Sequence, residues 1–210
     1  MDSAIPKKVL FGGDAKIWNE FRVKWDSTFS NTLSGLVLEN LHWSGHDLSE
    51  LQFEGCKFSR SSFKNVVLTR SKFVNCLFEN VVFLNSTGSF IQIKHSRFDT
   101  CQLDKCNLPG IDFSSSSAQR SDFLDIRSHR LFWQYGEIFS CRFERASLPY
   151  SMFLGSKFVN TQFVSSVLSG SDFDVGTVGM RNFQDCDLGG VSGLQPIRNS
   201  FSGQLELPIS

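Results

Sequence analysis

From Leu33 to Leu188 a bulky apolar residue returns at every fifth position, a period that neither an α-helix nor an ordinary strand can supply. The 32 positions of this series hold fifteen Phe, nine Leu, two Trp, two Ile and one Val; only Gly88, Ala118 and Ser128 interrupt it. A register kept over 32 units without an insertion defines a repeat architecture, in which each unit buries its apolar residue against the units stacked on either side.

A second column lies two places before the bulky one. It reads Leu36, Leu41, Leu51, Cys56, Ser61, Val66, Ser71, Cys76, Val81 and Ser86, and it continues small or apolar through Ser156. The other three places of each unit are dominated by Asp, Asn, Ser, Lys, Arg, Glu and Gly. Two inward and three outward positions per unit describe a thin coil whose backbone turns at every repeat. Successive coils must then pair their backbone groups along the axis.

These residues resemble the pentapeptide-repeat family, whose unit is similar to A-(D/N)-L-X-X with Leu or Phe at the centre. The stretches that carry the resemblance are CKF at 56–58, SKF at 71–73 and 156–158, SDF at 121–123 and 171–173, and CDL at 186–188. The stretch WNEF followed by LSGLVLENL also looks like a lead-in common in the family. The resemblance covers residues 31–190. It implies an all-β fold, a right-handed quadrilateral β-helix with four units per turn, hence about eight coils. The Ala of the family's small position is often Cys, Ser, Val or Ile here, and Gly88, Ala118 and Ser128 each omit a core ring, which invites bulges or out-turned loops. The segment 126–139 is expected to be the most irregular, since Phe132, Tyr135 and Phe139 fall off register there.

Three segments follow. Residues 1–30 read as an N-terminal capping segment with a short helix, N-capped by Asp14 and carrying Ile17, Trp18, Phe21 and Trp25 on one face. The repeat occupies 31–190, and 191–210, with Pro196 and Pro208, form a C-terminal cap or tail. The N-terminus has no secretory h-region and no window suits a membrane span, so the chain reads as soluble and cytoplasmic, with export by a non-Sec route left open.

The residues offer no catalytic constellation, no cofactor-binding motif and no metal site. All six cysteines (56, 76, 101, 106, 141 and 186) share the small inward register and read as core thiols; no C-x-x-C is present. His42 points outward while His46 takes a small inward place, so the two do not form a metal pair. Arg120, Arg127, Arg130, Arg142 and Arg145 interleave with Asp122, Asp125, Glu137 and Glu144 and read as ion-paired surface rather than a phosphate track.

The informative residues are apolar side chains outside the core register. With coils of twenty residues, Phe132 neighbours Met152 beside Gln134 and Leu154; Phe90, Arg130 and Tyr150 share another column; Phe139 and Val159 share a third. Together with Tyr135, the residues Phe132, Gln134, Phe139, Tyr150, Met152 and Leu154 form the candidate interaction surface. The alternative is that they tuck under the 126–139 segment or the C-terminal tail. The favoured reading is a rigid, non-enzymatic protein–protein interaction scaffold, whose partner is another protein or a second copy of the chain. The family resemblance implies two others: a DNA-mimicking protein that binds gyrase and protects it from quinolones, or a secreted bacterial effector. A DNA mimic needs an acidic rod. Residues 31–190 carry 15 Lys and Arg against 16 Asp and Glu, which argues against both that role and a nucleic-acid partner.

Overall fold

The computed structural model describes residues 7–24, 30–175 and 177–194. Parallel pairing joins each residue to the one twenty places on: Leu33 to Phe53, Leu38 to Phe58 and Trp43 to Phe63. The result is a parallel β-solenoid of about eight turns. Its first face is a four-stranded sheet of Thr32–Ser34, Gln52–Glu54, Lys72–Val74 and Gln92–Lys94, continued by single bridges through Asp112, Phe132, Met152 and Asp172. The second face is a seven-stranded sheet running from Val37–Glu39 to Lys157–Val159, and the third an eight-stranded sheet from His42–Ser44 to Phe183–Gln184. The fourth, from Asp47 to Asp187, is held by isolated bridges.

The five-residue period becomes a square because one residue per unit turns left-handed. From Gly35 to Gly170 every residue at a multiple of five has positive φ. Six of these are Gly and six are Asn, the residues that adopt this region at least cost. The corner column is a third regular position that the apolar pattern alone does not reveal.

Aromatic rings fill three of the four faces. Phe58, Phe78 and Phe98 stack at 5.1 and 4.6 Å on the second face; Phe123, Phe143 and Phe163 stack at 4.5 and 4.6 Å on the third. These separations match the spacing of hydrogen-bonded strands, about 4.8 Å, so ring stacking and backbone pairing reinforce one another. The fourth face holds Leu48, Leu68, Gly88, Leu108, Ser128, Leu148, Leu168 and Leu188, with no ring at all. Gly88 and Ser128 therefore replace a leucine, not an aromatic, and no bulge results at them or at Ala118. A Cβ at Gly88 would fall 2.7 Å from the Leu68 carbonyl carbon, and Ser128 Oγ donates to Leu108 O at 2.7 Å. Ala118 keeps its strand register between Phe98 and Ile138, while the Trp133 indole spans the preceding corner to donate to Ser116 O at 3.0 Å.

The small column is a polar ladder as well as a packing column. Ser96 Oγ donates to Phe73 O at 3.2 Å and to Lys94 O at 2.9 Å, and accepts from the Cys76 amide at 3.0 Å. Ser86, Ser166, Ser171 and Thr161 repeat the donation to the central carbonyl 23 residues back. Cysteine thiols occupy the same place: Cys56 donates to Leu33 O and Cys76 to Phe53 O, both at 3.3 Å. Buried corner amides and carbonyls are thereby satisfied without water.

At the N-terminal end, helix α1 (Lys7–Phe11) and helix α2 (Ala15–Val23) cover the first coil. Asp14 caps α2 as expected, accepting from the amides of Lys16 and Ile17. Within the stack, Val67 O and Thr69 O accept from Leu48 and Glu50 of the coil before. In the first coil Asp47 O and Ser49 O accept from Trp18 Nε1 at 2.6 Å and Arg22 at 2.6 Å. Side chains of α2 thus take the donor role that backbone amides have farther along the stack. Trp18 is buried, but Ile17 is exposed rather than part of the apolar face; Trp25 lies outside the described residues.

The segment 126–139 is regular, contrary to the expectation from its off-register aromatics. Phe132 bridges Asp112 and Met152, and Glu137–Phe139 is a strand in full register. Those aromatics occupy outward positions of ordinary units. The irregular stretch is instead 177–182: at the second-face place of the last coil Val178 bridges Val175 rather than pairing with Lys157–Val159, and a 3-10 turn follows at Met180–Asn182. Register is recovered at once, with Phe183 paired to Phe163.

Candidate interaction face

The first face changes character along its length. Its outward pairs run Gln52 and Glu54, Lys72 and Val74, Gln92 and Lys94, Asp112 and Ser114, then Phe132 and Gln134, Met152 and Leu154, and finally Asp172 and Asp174. Phe132 and Met152 are direct bridge partners, and both are half-buried, as are Gln134 and Leu154. Tyr135 stands at the corner on one side of this face and Tyr150 at the corner on the other, 72% and 58% exposed. Six of the seven expected surface residues are therefore brought onto one face and its two edges. Phe139 is not among them: it lies on the second face, in register with Val159.

The two tyrosines, both in the expected surface, sit at left-handed corners with φ of 57° and 56°. Each is laid against a glycine one coil on. A Cβ at Gly170 would fall 2.6 Å from Tyr150 Cδ1, and one at Gly155 would fall 2.7 Å from Tyr135 Cε1. Phe90 repeats the arrangement over Gly110, at 3.2 Å. An aromatic at one corner position and a glycine twenty residues later is the signal that marks them. Neither half of it belongs to the apolar period. Tyr150 is also flanked by the His129 ring, 5.3 Å away between centroids.

Charge frames the apolar area. Lys94 pairs with Asp112 at 2.9 Å on the N-terminal side; although burial opposes it, hydrogen bonds from Ser114 and Lys94 hold the Asp112 carboxyl below its ordinary range. On the other side Asp172 accepts from Ser192 Oγ at 2.7 Å, and Asp174 accepts from the Gly155 amide. The arginine cluster is ion-paired in part. Arg120 pairs with Asp99, Arg145 with Asp125 and Glu144, and Arg142 with Glu144, whereas Arg127 and Arg130 have no carboxylate within ion-pair distance among the described residues.

Beside Tyr135 a shallow groove of about 340 Å³ runs over Ser115, Ser116 and Ser117, walled by His95, Arg97 and Glu137. Among the described residues no three His, Cys, Asp or Glu side chains group as metal ligands. His42 is exposed and bonded to Ser62 Oγ at 2.9 Å, while His46 is fully buried beside Trp43. No helix of the described residues is long and apolar enough to cross a membrane.

The columns, the four faces and the left-handed corners define a parallel β-solenoid built from five-residue units. The sequence model of the pentapeptide repeats matches eight copies over residues 47–85, so the chain carries pentapeptide repeats there, and the same five-residue register runs on through the later coils. No curated protein matches it. Among solved structures it is similar to HetL, a pentapeptide-repeat protein involved in heterocyst differentiation regulation from the cyanobacterium Nostoc sp. strain PCC 7120. That likeness has 12% identity over 87% of this chain and 94% of HetL, with a TM-score of 0.33. It is also similar to full-length QnrB1, a plasmid-mediated fluoroquinolone resistance protein, at 14% identity over 78% of this chain and 92% of that one, with a TM-score of 0.29.

Proposed function

We propose that the protein is a non-enzymatic scaffold that presents the C-terminal half of its first face to a protein partner. The observation that supports this is the stack of Phe132 on Met152, with Leu154 beside them and an exposed tyrosine at each edge. Contiguous exposed apolar surface marks interaction sites, and tyrosine is prominent among residues that dominate binding energy. The solenoid adds rigidity: side chains held in backbone register lose little further freedom on association.

Affinity capture with the intact chain tests the reading, comparing it with a Phe132→Glu/Met152→Glu/Leu154→Glu variant of unchanged circular dichroism. A partner held by the first and lost by the second supports it. The same partner on both places the contact elsewhere and sinks it.

A further inference from the structure

We infer that the first face takes an amphipathic α-helix laid along the solenoid axis, with two apolar side chains over Phe132 and Met152 and a Lys or Arg at Asp172 and Asp174. The inference rests on the interaction reading above and specifies the chemistry of its partner.

Two observations lead to it. The first is charge. Asp172 stands in the coil after Met152, as its bridge partner, and Asp174 stands in the column of Leu154. One oxygen of each carboxylate is held, by Ser192 Oγ and by the Gly155 amide, so both groups are fixed in place with the other oxygen free to accept. No cationic side chain lies within ion-pair distance of either among the described residues, whereas Asp112, in the same column as Asp172, pairs with Lys94. Two fixed, unneutralised carboxylates at the end of an apolar strip select a partner whose apolar side chains are followed by positive charge.

The second is period. Successive coils present their side chains about 4.8 Å apart along the axis. An α-helix presents one face every turn, about 5.4 Å. The mismatch is about 0.6 Å per turn, so over three turns a helix stays in step with three coils. Its side chains at i and i+4 then meet the coils of Phe132 and Met152, and those at i+7 and i+8 meet the coil of Asp172 and Asp174. An extended strand laid the same way repeats its facing side chains about every 6.7 Å and falls out of step by the second contact.

The probe is a stapled, fluorescein-labelled helix with Leu at i and i+4 and Arg at i+7 and i+8, and a second in which both Arg are Gln. Fluorescence anisotropy is read against the full chain, Asp172→Asn/Asp174→Asn, and Phe132→Glu/Met152→Glu, each checked by thermal melting. The Arg helix is expected to bind the full chain about tenfold more tightly than the Gln helix at low salt, a charge-assisted contact of ordinary size. The Asn variant is expected to erase that difference, and the Glu variant to lose both helices. Equal binding of the Arg and Gln helices to the full chain would overturn the acidic half of the site. Loss of the partner in the capture experiment only with the Glu variant, and not with the Asn variant, would leave the interaction reading standing while overturning this one. A concentration-dependent dimer in sedimentation that the Glu variant abolishes would assign the face to a second copy and overturn it as well.

Discussion

The ring of Tyr135 lies against the backbone of Gly155, one coil along the same corner, with no side chain between them. Both residues have positive φ, 57° and 74°. Gly155→Ala therefore combines a strained left-handed alanine with a Cβ that clashes against the edge of the ring, and a loss of about 1–3 kcal/mol in chemical unfolding is expected. Tyr135→Ala removes the obstacle but not the strain, so the double variant should recover part of the loss. Strictly additive losses would mean the ring and the glycine are not coupled.

Ser96→Ala strips one rung from the hydroxyl ladder. The Cys76 amide loses its acceptor, and the carbonyls of Phe73 and Lys94 lose a donor. Leaving a buried amide unsatisfied costs about 1–3 kcal/mol. Ser96→Cys should cost less, because a thiol at Cys76 already makes the equivalent bond to Phe53 O. Denaturant midpoints that rank Ala at or above Cys would refute the ladder's role.

His46 makes the N-terminal end pH-sensitive. Burial pushes its imidazole below the ordinary value of 6.5, against the opposing pull of the Ser44 carbonyl and the Asp14 carboxylate. The unfolded chain then binds a proton more readily than the folded one. The stabilisation is fully present above about pH 6.5 and is lost as pH falls through the depressed folded value. Melting of the intact chain between pH 7.5 and 5 should show this fall, and His46→Leu should remove that part of the slope. An unchanged slope in the variant would assign it to other groups.

The cysteines should divide by burial. Cys101, Cys106 and Cys141 have thiols pushed up to about 11 by desolvation, and only Cys186 has partial access to solvent. A thiol-reactive dye at neutral pH is expected to label one cysteine in the native protein and all six in denaturant. Rapid native labelling of Cys101 would show that the middle coils open.

Much of the architecture was legible before any coordinate, for a physical reason. Strand pairing along an axis forces equivalent residues into columns, so the five-residue period and the inward cysteines follow from which residues must be buried, while the four units per turn, and with them the eight coils, are what the family resemblance implies. What the period could not express is the corner. The left-handed turn at every fifth residue is a backbone property, marked only by scattered Gly and Asn, and so the support of Tyr135 by Gly155 and of Tyr150 by Gly170 went unread. The same gap made 126–139 look irregular, when its off-register aromatics are outward side chains on ordinary units. Register placed Phe132 over Met152 correctly, yet put Phe139 with them although a corner separates the two faces.

By itself, the sequence determined the repeat unit and the inward columns, because those depend only on periodicity and hydrophobic burial; the axial neighbours needed the four units per turn that the family resemblance implies. The tertiary structure alone decided which columns share a face, which glycine supports which ring, how α2 meets the carbonyls of the first coil, and where the last coil departs at 177–182. Each of these depends on how the backbone turns between units, and the choice among turns is settled by contacts twenty residues away rather than by neighbours in the chain.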